Sequence, residues 1–158
     1  EAGIVWSLPL VLATASAGFL IFNFPPAKIF MGDAGSGFLG LMLGGLSVVA
    51  AQQQFLLFFA WLILLGVFVV DATVTLLRRV LRGERFYEAH RSHAYQRAAR
   101  CSGAHRPVSL AVGLINLLWL LPLATLVAAG GIDWALGLVI SYTPLLVLAF
   151  HFQAGVRD

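Results

Sequence analysis

The side chains in this 158-residue chain that could handle phosphate begin with one aspartate in a glycine-rich turn. Asp33 lies between Gly32 and Gly35, where the backbone can approach a ligand closely. A single carboxylate suits Mg²⁺, which usually takes one or two protein carboxylates and completes its shell with water and phosphate oxygens. Asp33 could equally cap a helix that starts at Ser36. Lys28, five residues earlier, could meet a phosphate or a lipid headgroup. Both pairs of alternatives stay open.

A second set of polar side chains lies in the segment 78–106, which holds eight of the ten Lys and Arg residues. If the segment is helical, His90, His93, Arg97 and Arg100 share one face. Imidazoles and guanidiniums on one face could bind a pyrophosphate. A zinc site at His90 and His93 is disfavoured because no third ligand is nearby. A basic loop that only contacts anionic lipid remains an alternative.

The elements that must position these residues are apolar. The chain is 60% hydrophobic and 11% charged, with a mean hydropathy of +0.92, and a soluble domain normally carries about a quarter charged residues. The composition predicts an all-α, polytopic membrane helical bundle. We expect about five spans joined by two polar loops, 23–37 and 78–106: 4–22, 38–51, 55–77, 107–129 and 134–150. Because the basic residues cluster in one loop, nucleic acid is not indicated as a partner.

The charge distribution predicts the orientation of these spans. By the positive-inside rule, the basic loop 78–106 lies on the cytoplasmic side. Counting spans backwards then places the loop 23–37 on the same side, so Asp33 and the basic loop would share one membrane face.

Asp71, Asn116 and Tyr142 are further candidates among the polar residues of the predicted spans. An ionisable residue in a span, such as Asp71, indicates a functional site by default. An ion pair with Arg78 or Arg79 is the structural alternative. We expect Asn116 and Tyr142 to make interhelical hydrogen bonds or to anchor the interface.

Two runs of residues resemble a known family. The run PAKIFMGDAGS, from Pro26 to Ser36, resembles the signature of the polytopic polyprenyl-phosphate sugar-1-phosphate transferases, glycosyltransferase family 4. The run RFYEAHRSHAYQ, from Arg85 to Gln96, is similar to the histidine-containing cytoplasmic loop of the branch that initiates O-antigen and lipopolysaccharide synthesis. The family also includes the phospho-MurNAc-pentapeptide transferases.

This resemblance implies a reaction and its participants. A UDP-N-acetylhexosamine and undecaprenyl phosphate would give the lipid-linked sugar phosphate and UMP, with Mg²⁺, at the bacterial inner membrane. Asp33 would be a catalytic residue and the Mg²⁺ ligand. His90 and His93 would embrace the phosphates of the nucleotide sugar. Substrate-binding positions would follow at Asn23, Lys28, Arg91 and Arg97.

The chain also departs from the family pattern. The family carries acidic motifs on loops nearer its N-terminus, and here Asp33 is the first acidic residue after Glu1. We therefore expect the chain to be the C-terminal portion of such an enzyme, inactive without the missing N-terminal half. The alternative is a non-catalytic membrane module or transporter part whose basic loop binds anionic lipid or a partner. A CDP-alcohol phosphotransferase would need clustered aspartates on one helix, and the chain lacks them.

Overall fold

The computed structural model describes residues 2–84 and 92–156, and the regular elements in these ranges are all helical. The predicted all-α class is therefore confirmed. In chain order the elements are α1 (Ala2–Asn23), α2 (Gly32–Gln53), α3 (Phe55–Leu64), α4 (Gly66–Leu81), α5 (Ala94–Ser102), α6 (His105–Ile115), a π-helical turn (Asn116–Leu120), α7 (Leu121–Ala128) and α8 (Trp134–His151).

Several of these helices are long and apolar enough to cross a membrane. Within the described ranges these are α2, the continuous stretch His105–Ala128, and α8, with a fourth if the bent pair α3 and α4 forms one span. In α1, the apolar part from Ser7 to Asn23 is shorter. A polytopic membrane bundle is confirmed, and the number of five spans stays a prediction.

The chain divides into two compact units, Glu1–Phe58 and Phe59–Asp158. In the first unit, α1 ends at Asn23 because Pro25 and Pro26 follow and cannot donate to the preceding turn. Helix α2 starts at Gly32, whose φ of +66° falls in the left-handed region that glycine tolerates. The second membrane helix therefore begins six residues before the predicted start at 38.

The predicted span 55–77 is bent by 70° between α3 and α4. The bend occurs at Gly66, where an added Cβ would lie 3.0 Å from Leu145 and 3.2 Å from Tyr142. In a continuous helix the Leu62 carbonyl would accept from the N–H of Gly66. At the bend it accepts a 2.8 Å hydrogen bond from the Tyr142 hydroxyl in α8. The interhelical bond expected for Tyr142 is thus present, and it joins α8 to the bend.

The core of the second unit lies where the C-terminal part of α3, α4, the π-helical turn, α7 and α8 meet. Ile63, Leu120 and Val127 are completely buried there. The Asn116 amide, expected to bond between helices, instead donates to the Val112 carbonyl at 3.0 Å, one turn earlier in its own helix. Among the described residues the interhelical bond is therefore not made, because a short polar side chain can reach a backbone carbonyl four residues back. The alternative role of Asn116 in anchoring the interface stays a prediction.

Candidate active site

Asp33 lies exposed in the first turn of α2. The residue at the N-cap is Met31, and no side chain caps this helix. The capping role from Ser36 is therefore wrong, because the helix starts before Asp33. In the described part of the chain the Asp33 carboxylate has no hydrogen bond or ion pair; the Ser36 hydroxyl donates to the Asp33 backbone carbonyl at 3.2 Å. The carboxylate is left facing outward near a positive helix end.

The loop before Asp33 is closed by two hydrogen bonds. The N–H of Lys28 donates to the Phe22 carbonyl at 2.8 Å, and the Asn23 side-chain amide donates to the Ile29 carbonyl at 2.8 Å. The Lys28 side chain is exposed. Asn23 thus holds the loop that carries Lys28. This structural role was not predicted, and the predicted substrate binding by Asn23 stays a prediction.

The second group of predicted site residues follows α4. His90 and Arg91 lie outside the described residues. On the near side of them, the Glu84 carboxylate is 3.2 Å from Nε of Arg79 and 3.9 Å from the Arg82 guanidinium. The Arg79 side chain is 5% exposed and that of Glu84 13% exposed. This buried ion pair fixes where the basic loop leaves α4.

On the far side of the loop, His93 is the N-cap residue of α5, with an extended backbone of φ −68° and ψ 148°. Its N–H donates to Oε1 of Gln96 at 3.3 Å. The expected helical face running from His90 through His93 is therefore wrong at His93, which precedes the helix. The capping position takes the residue out of helical geometry.

Asp71, in α4, contacts the start of α5. Its Oδ1 accepts from the N–H of Ala94 at 2.8 Å and from the Thr75 hydroxyl at 3.3 Å, and lies 3.5 Å from Nδ1 of His93. The expected ion pair of Asp71 with Arg78 or Arg79 is wrong, because both arginines point to other partners.

Those partners belong to the C-terminal segment 152–156 and to the loop start. Arg78 donates to the Ala154 carbonyl at 2.7 Å, and its guanidinium carbon lies 4.6 Å from the centre of the Phe150 ring. Arg79 bonds Glu84. The N–H of Gly155 donates to the Ser92 carbonyl at 2.6 Å. No residue pattern in the sequence indicates that this short polar tail contacts the basic loop.

Arg97 also contacts the C-terminal segment. Its Nη1 donates to Oε1 of Gln153 at 2.5 Å and lies 3.5 Å from the Gln153 carbonyl. Arg100, in the last turn of α5, is exposed. The predicted contact of Arg97 with substrate stays a prediction, and the structure adds a packing role.

His93 borders a cavity of about 600 Å³ between α4, the start of α5 and α6. The side chains in its wall that carry polar groups are Asp71, His93, Tyr95, His105, Ser109 and Asn116. Among the described residues, no three His, Cys, Asp or Glu side chains come together as a metal cluster. Asn23, Lys28 and Asp33 belong to the first unit, and His93 and Arg97 to the second.

Comparison with known proteins shows that the chain is similar to polyprenyl-phosphate sugar-phosphate transferases. The sequence model described as glycosyl transferase family 4 matches residues 2–51, which include the Asp33 turn. A probable undecaprenyl-phosphate N-acetylglucosaminyl 1-phosphate transferase of Bacillus subtilis is 36% identical over 118 residues, covering 73% of this chain and 33% of the relative.

Two other relatives point the same way. A decaprenyl-phosphate N-acetylglucosaminephosphotransferase of Mycolicibacterium smegmatis is 37% identical over 120 residues, covering 68% of this chain and 30% of the relative. A phospho-N-acetylmuramoyl-pentapeptide-transferase of Thermotoga maritima is 44% identical over 59 residues, covering 37% and 20%. No solved structure matches the chain significantly. The chain spans about a third of the length of the first two relatives, and it belongs to glycosyl transferase family 4.

Proposed function

We propose that the protein containing this chain transfers an N-acetylhexosamine-1-phosphate from a UDP-sugar to undecaprenyl phosphate and releases UMP. The observation that carries the proposal is the exposed Asp33 carboxylate, which lies in the segment that the family model matches and makes no bond to another described side chain. The names of the relatives contain both a polyprenyl phosphate and an N-acetylglucosamine phosphate transfer, and they support these two classes of substrate.

The reaction needs positive charge around phosphate oxygens more than it needs a protein nucleophile. An oxygen of undecaprenyl phosphate forms a bond to the phosphorus attached to the sugar, and the bond from that phosphorus to the UMP oxygen breaks. In this proposal His90 and His93 donate to the phosphates of the nucleotide sugar, with Arg91 and Arg97 beside them. Lys28 donates from the loop that Asn23 holds closed.

Mg²⁺ fits the donor set at Asp33 as a single-carboxylate site. The carboxylate is exposed, and the ion commonly fills the rest of its shell with water and phosphate oxygens. Asp33 would hold the ion, which supplies charge neutralisation on the transferring phosphate when bound. Further acidic ligands would come from the N-terminal half that we propose precedes this chain, which would make that half a necessary partner.

The proposed setting is the bacterial inner membrane, with the site loops on the cytoplasmic side, where UDP-sugars are made. The concentration of basic residues in 78–106 supports this orientation. The similarity of the Arg85–Gln96 run to the O-antigen branch supports a role in initiating a cell-envelope polysaccharide of the lipopolysaccharide type. The apolar helices support membrane lipid as the surroundings of the protein.

The test is a transfer assay on the intact protein in detergent, with undecaprenyl phosphate, Mg²⁺ and a panel of UDP-N-acetylhexosamines labelled in the sugar. We expect labelled lipid and an equal amount of UMP with one or more of these sugars, and no transfer from the 158-residue chain alone. No transfer with any sugar, together with binding of the protein to anionic vesicles, would favour the non-catalytic membrane module.

A further inference from the structure

Asp71 occupies an unusual place for a carboxylate in an apolar bundle. It lies within α4, its side chain is 13% exposed, and its Oδ1 accepts from the N–H of Ala94 in α5 at 2.8 Å. The Thr75 hydroxyl, one turn further along α4, donates to the same oxygen at 3.3 Å. A charged side chain in such a segment is costly unless its bonds are satisfied. Asp71 satisfies part of this need with the backbone of a different helix.

The Asp71 carboxylate caps α5 by accepting from the N–H of Ala94. Ala94 is the first residue of α5, and the first N–H groups of a helix have no partner within it. A side chain just before the helix normally accepts from them. Here His93 and Gln96 form a capping box, and in addition the N–H of Ala94 donates to Asp71, 23 residues earlier, whose Oδ1 lies 3.5 Å from Nδ1 of His93. The start of α5 is thereby tied to α4, and the negative charge lies at the positive helix end.

The same short stretch is held from a second direction. The N–H of Gly155 donates to the Ser92 carbonyl at 2.6 Å. Gly155 in turn lies so close to α4 that an added Cβ would be 2.9 Å from the backbone of Thr75. Ser92 and Ala94 are therefore both fixed relative to α4, and His93 lies between them.

We propose that Asp71 is a positioning residue for the transfer reaction: by fixing the start of α5 it sets the place of the His93 side chain. This inference rests on the proposed function, because it assigns His93 to the phosphates of the nucleotide sugar. Asp71 itself need not touch substrate. A substitution of Asp71 should displace α5 and His93 and so raise KM for the UDP-sugar. KM for undecaprenyl phosphate should stay unchanged.

The kinetic test compares Asp71→Ala, Asp71→Asn and the control Asp133→Ala in the intact protein. Asp133 is a matched control because it caps α8 with bonds of 2.9 and 3.1 Å to the N–H groups of Ala135 and Leu136, far along the chain from the basic loop. We expect Asp71→Ala to raise KM for the UDP-sugar about tenfold, which corresponds to the loss of one good cap. KM for undecaprenyl phosphate and the kinetics of Asp133→Ala should match the wild type.

Asp71→Asn keeps an acceptor oxygen and loses the charge, so we expect a rise in KM of about threefold. If Asp71→Ala fails to fold and cannot be purified, Asp71→Asn tests the proposal instead. An asparagine variant with an unchanged KM and unchanged backbone exchange in α5 would overturn the proposal.

Hydrogen exchange of the peptide that covers 92–100 provides a readout that does not need activity. We expect faster exchange there in Asp71→Ala, and faster exchange at the start of α8 instead in Asp133→Ala. Unchanged exchange at 92–100 would overturn the anchoring of α5. Faster exchange with an unchanged KM would overturn the positioning role. If the wild-type protein releases no UMP, the proposed function fails and the role in transfer fails with it, while the exchange data still report whether Asp71 anchors α5.

Discussion

The carboxylate of Asp71 accepts a 2.8 Å hydrogen bond from the backbone N–H of Ala94 and so joins two helices across the basic loop. At the other end of that loop, Glu84 pairs with the buried guanidinium of Arg79. Both ends of the loop are therefore anchored on α4. These two contacts fix Glu84 and Ala94, the described residues near the two ends of the undescribed stretch 85–91, to α4.

Asn23 should control the loop that precedes Asp33. Replacing Asn23 with alanine removes the donor to the Ile29 carbonyl, and we expect a loss of about 1 kcal/mol and faster proteolysis within 24–31. Thr14→Ala is the control, because Thr14 bonds only one turn back, to the Val11 carbonyl in its own helix. Limited proteolysis of the purified intact protein measures the effect. Equal cleavage of both variants would mean that Asn23 does not hold the loop.

Gly155 should be sensitive to any side chain. Its φ is +75°, and a Cβ would contact the backbone of Thr75 at 2.9 Å, so Gly155→Ala combines backbone strain with a clash. Gly103 has a φ of +69° with nothing within 4 Å, so Gly103→Ala reports the strain alone. We expect Gly155→Ala to cost about 1–3 kcal/mol more than the control.

The thermal midpoint of the two glycine variants in detergent measures this difference. Equal midpoints would show that the C-terminal segment does not pack against α4 in the way described.

Tyr142 should stabilise the bend between α3 and α4. Tyr142→Phe leaves the Leu62 carbonyl without the donor that replaces its helical partner, at an expected cost of about 1–3 kcal/mol. Thr143→Val is the control, because Thr143 is exposed and its hydroxyl donates to the Val139 carbonyl of its own helix at 2.7 Å. Thermal unfolding in detergent separates the two, and a larger loss in the control would contradict the role of Tyr142.

Much of the fold followed from composition, because a chain so poor in charge can satisfy its backbone in lipid only as helices. The break between the first two helices could be predicted from prolines and glycines, because prolines follow the end of α1 and a glycine begins α2. The start of α2 was missed because nothing in the local residues distinguishes a helix that begins at Gly32 from one that begins after the last glycine.

The contacts of Asp71 could not be predicted from the sequence. Arg78 and Arg79 are the cations nearest to it along α4, and a pattern based on helical spacing can detect only such local pairs. The actual partner, a backbone N–H, carries no signature in the residue type of Ala94. The same applies to Ser92 and Gly155, whose bond joins two main-chain groups 63 positions apart in the numbering.

The most direct measurement of the central claim is UMP release by the intact protein with Asp33→Asn, which keeps the size of the side chain and removes its charge. Asp133→Asn is the matched control, an exposed aspartate at the start of another helix. We predict that Asp33→Asn lowers the rate of UMP release by about a hundredfold or more with normal membrane insertion, while the control retains wild-type turnover. Near-wild-type UMP release by Asp33→Asn would contradict the assignment of Asp33 to the transfer site.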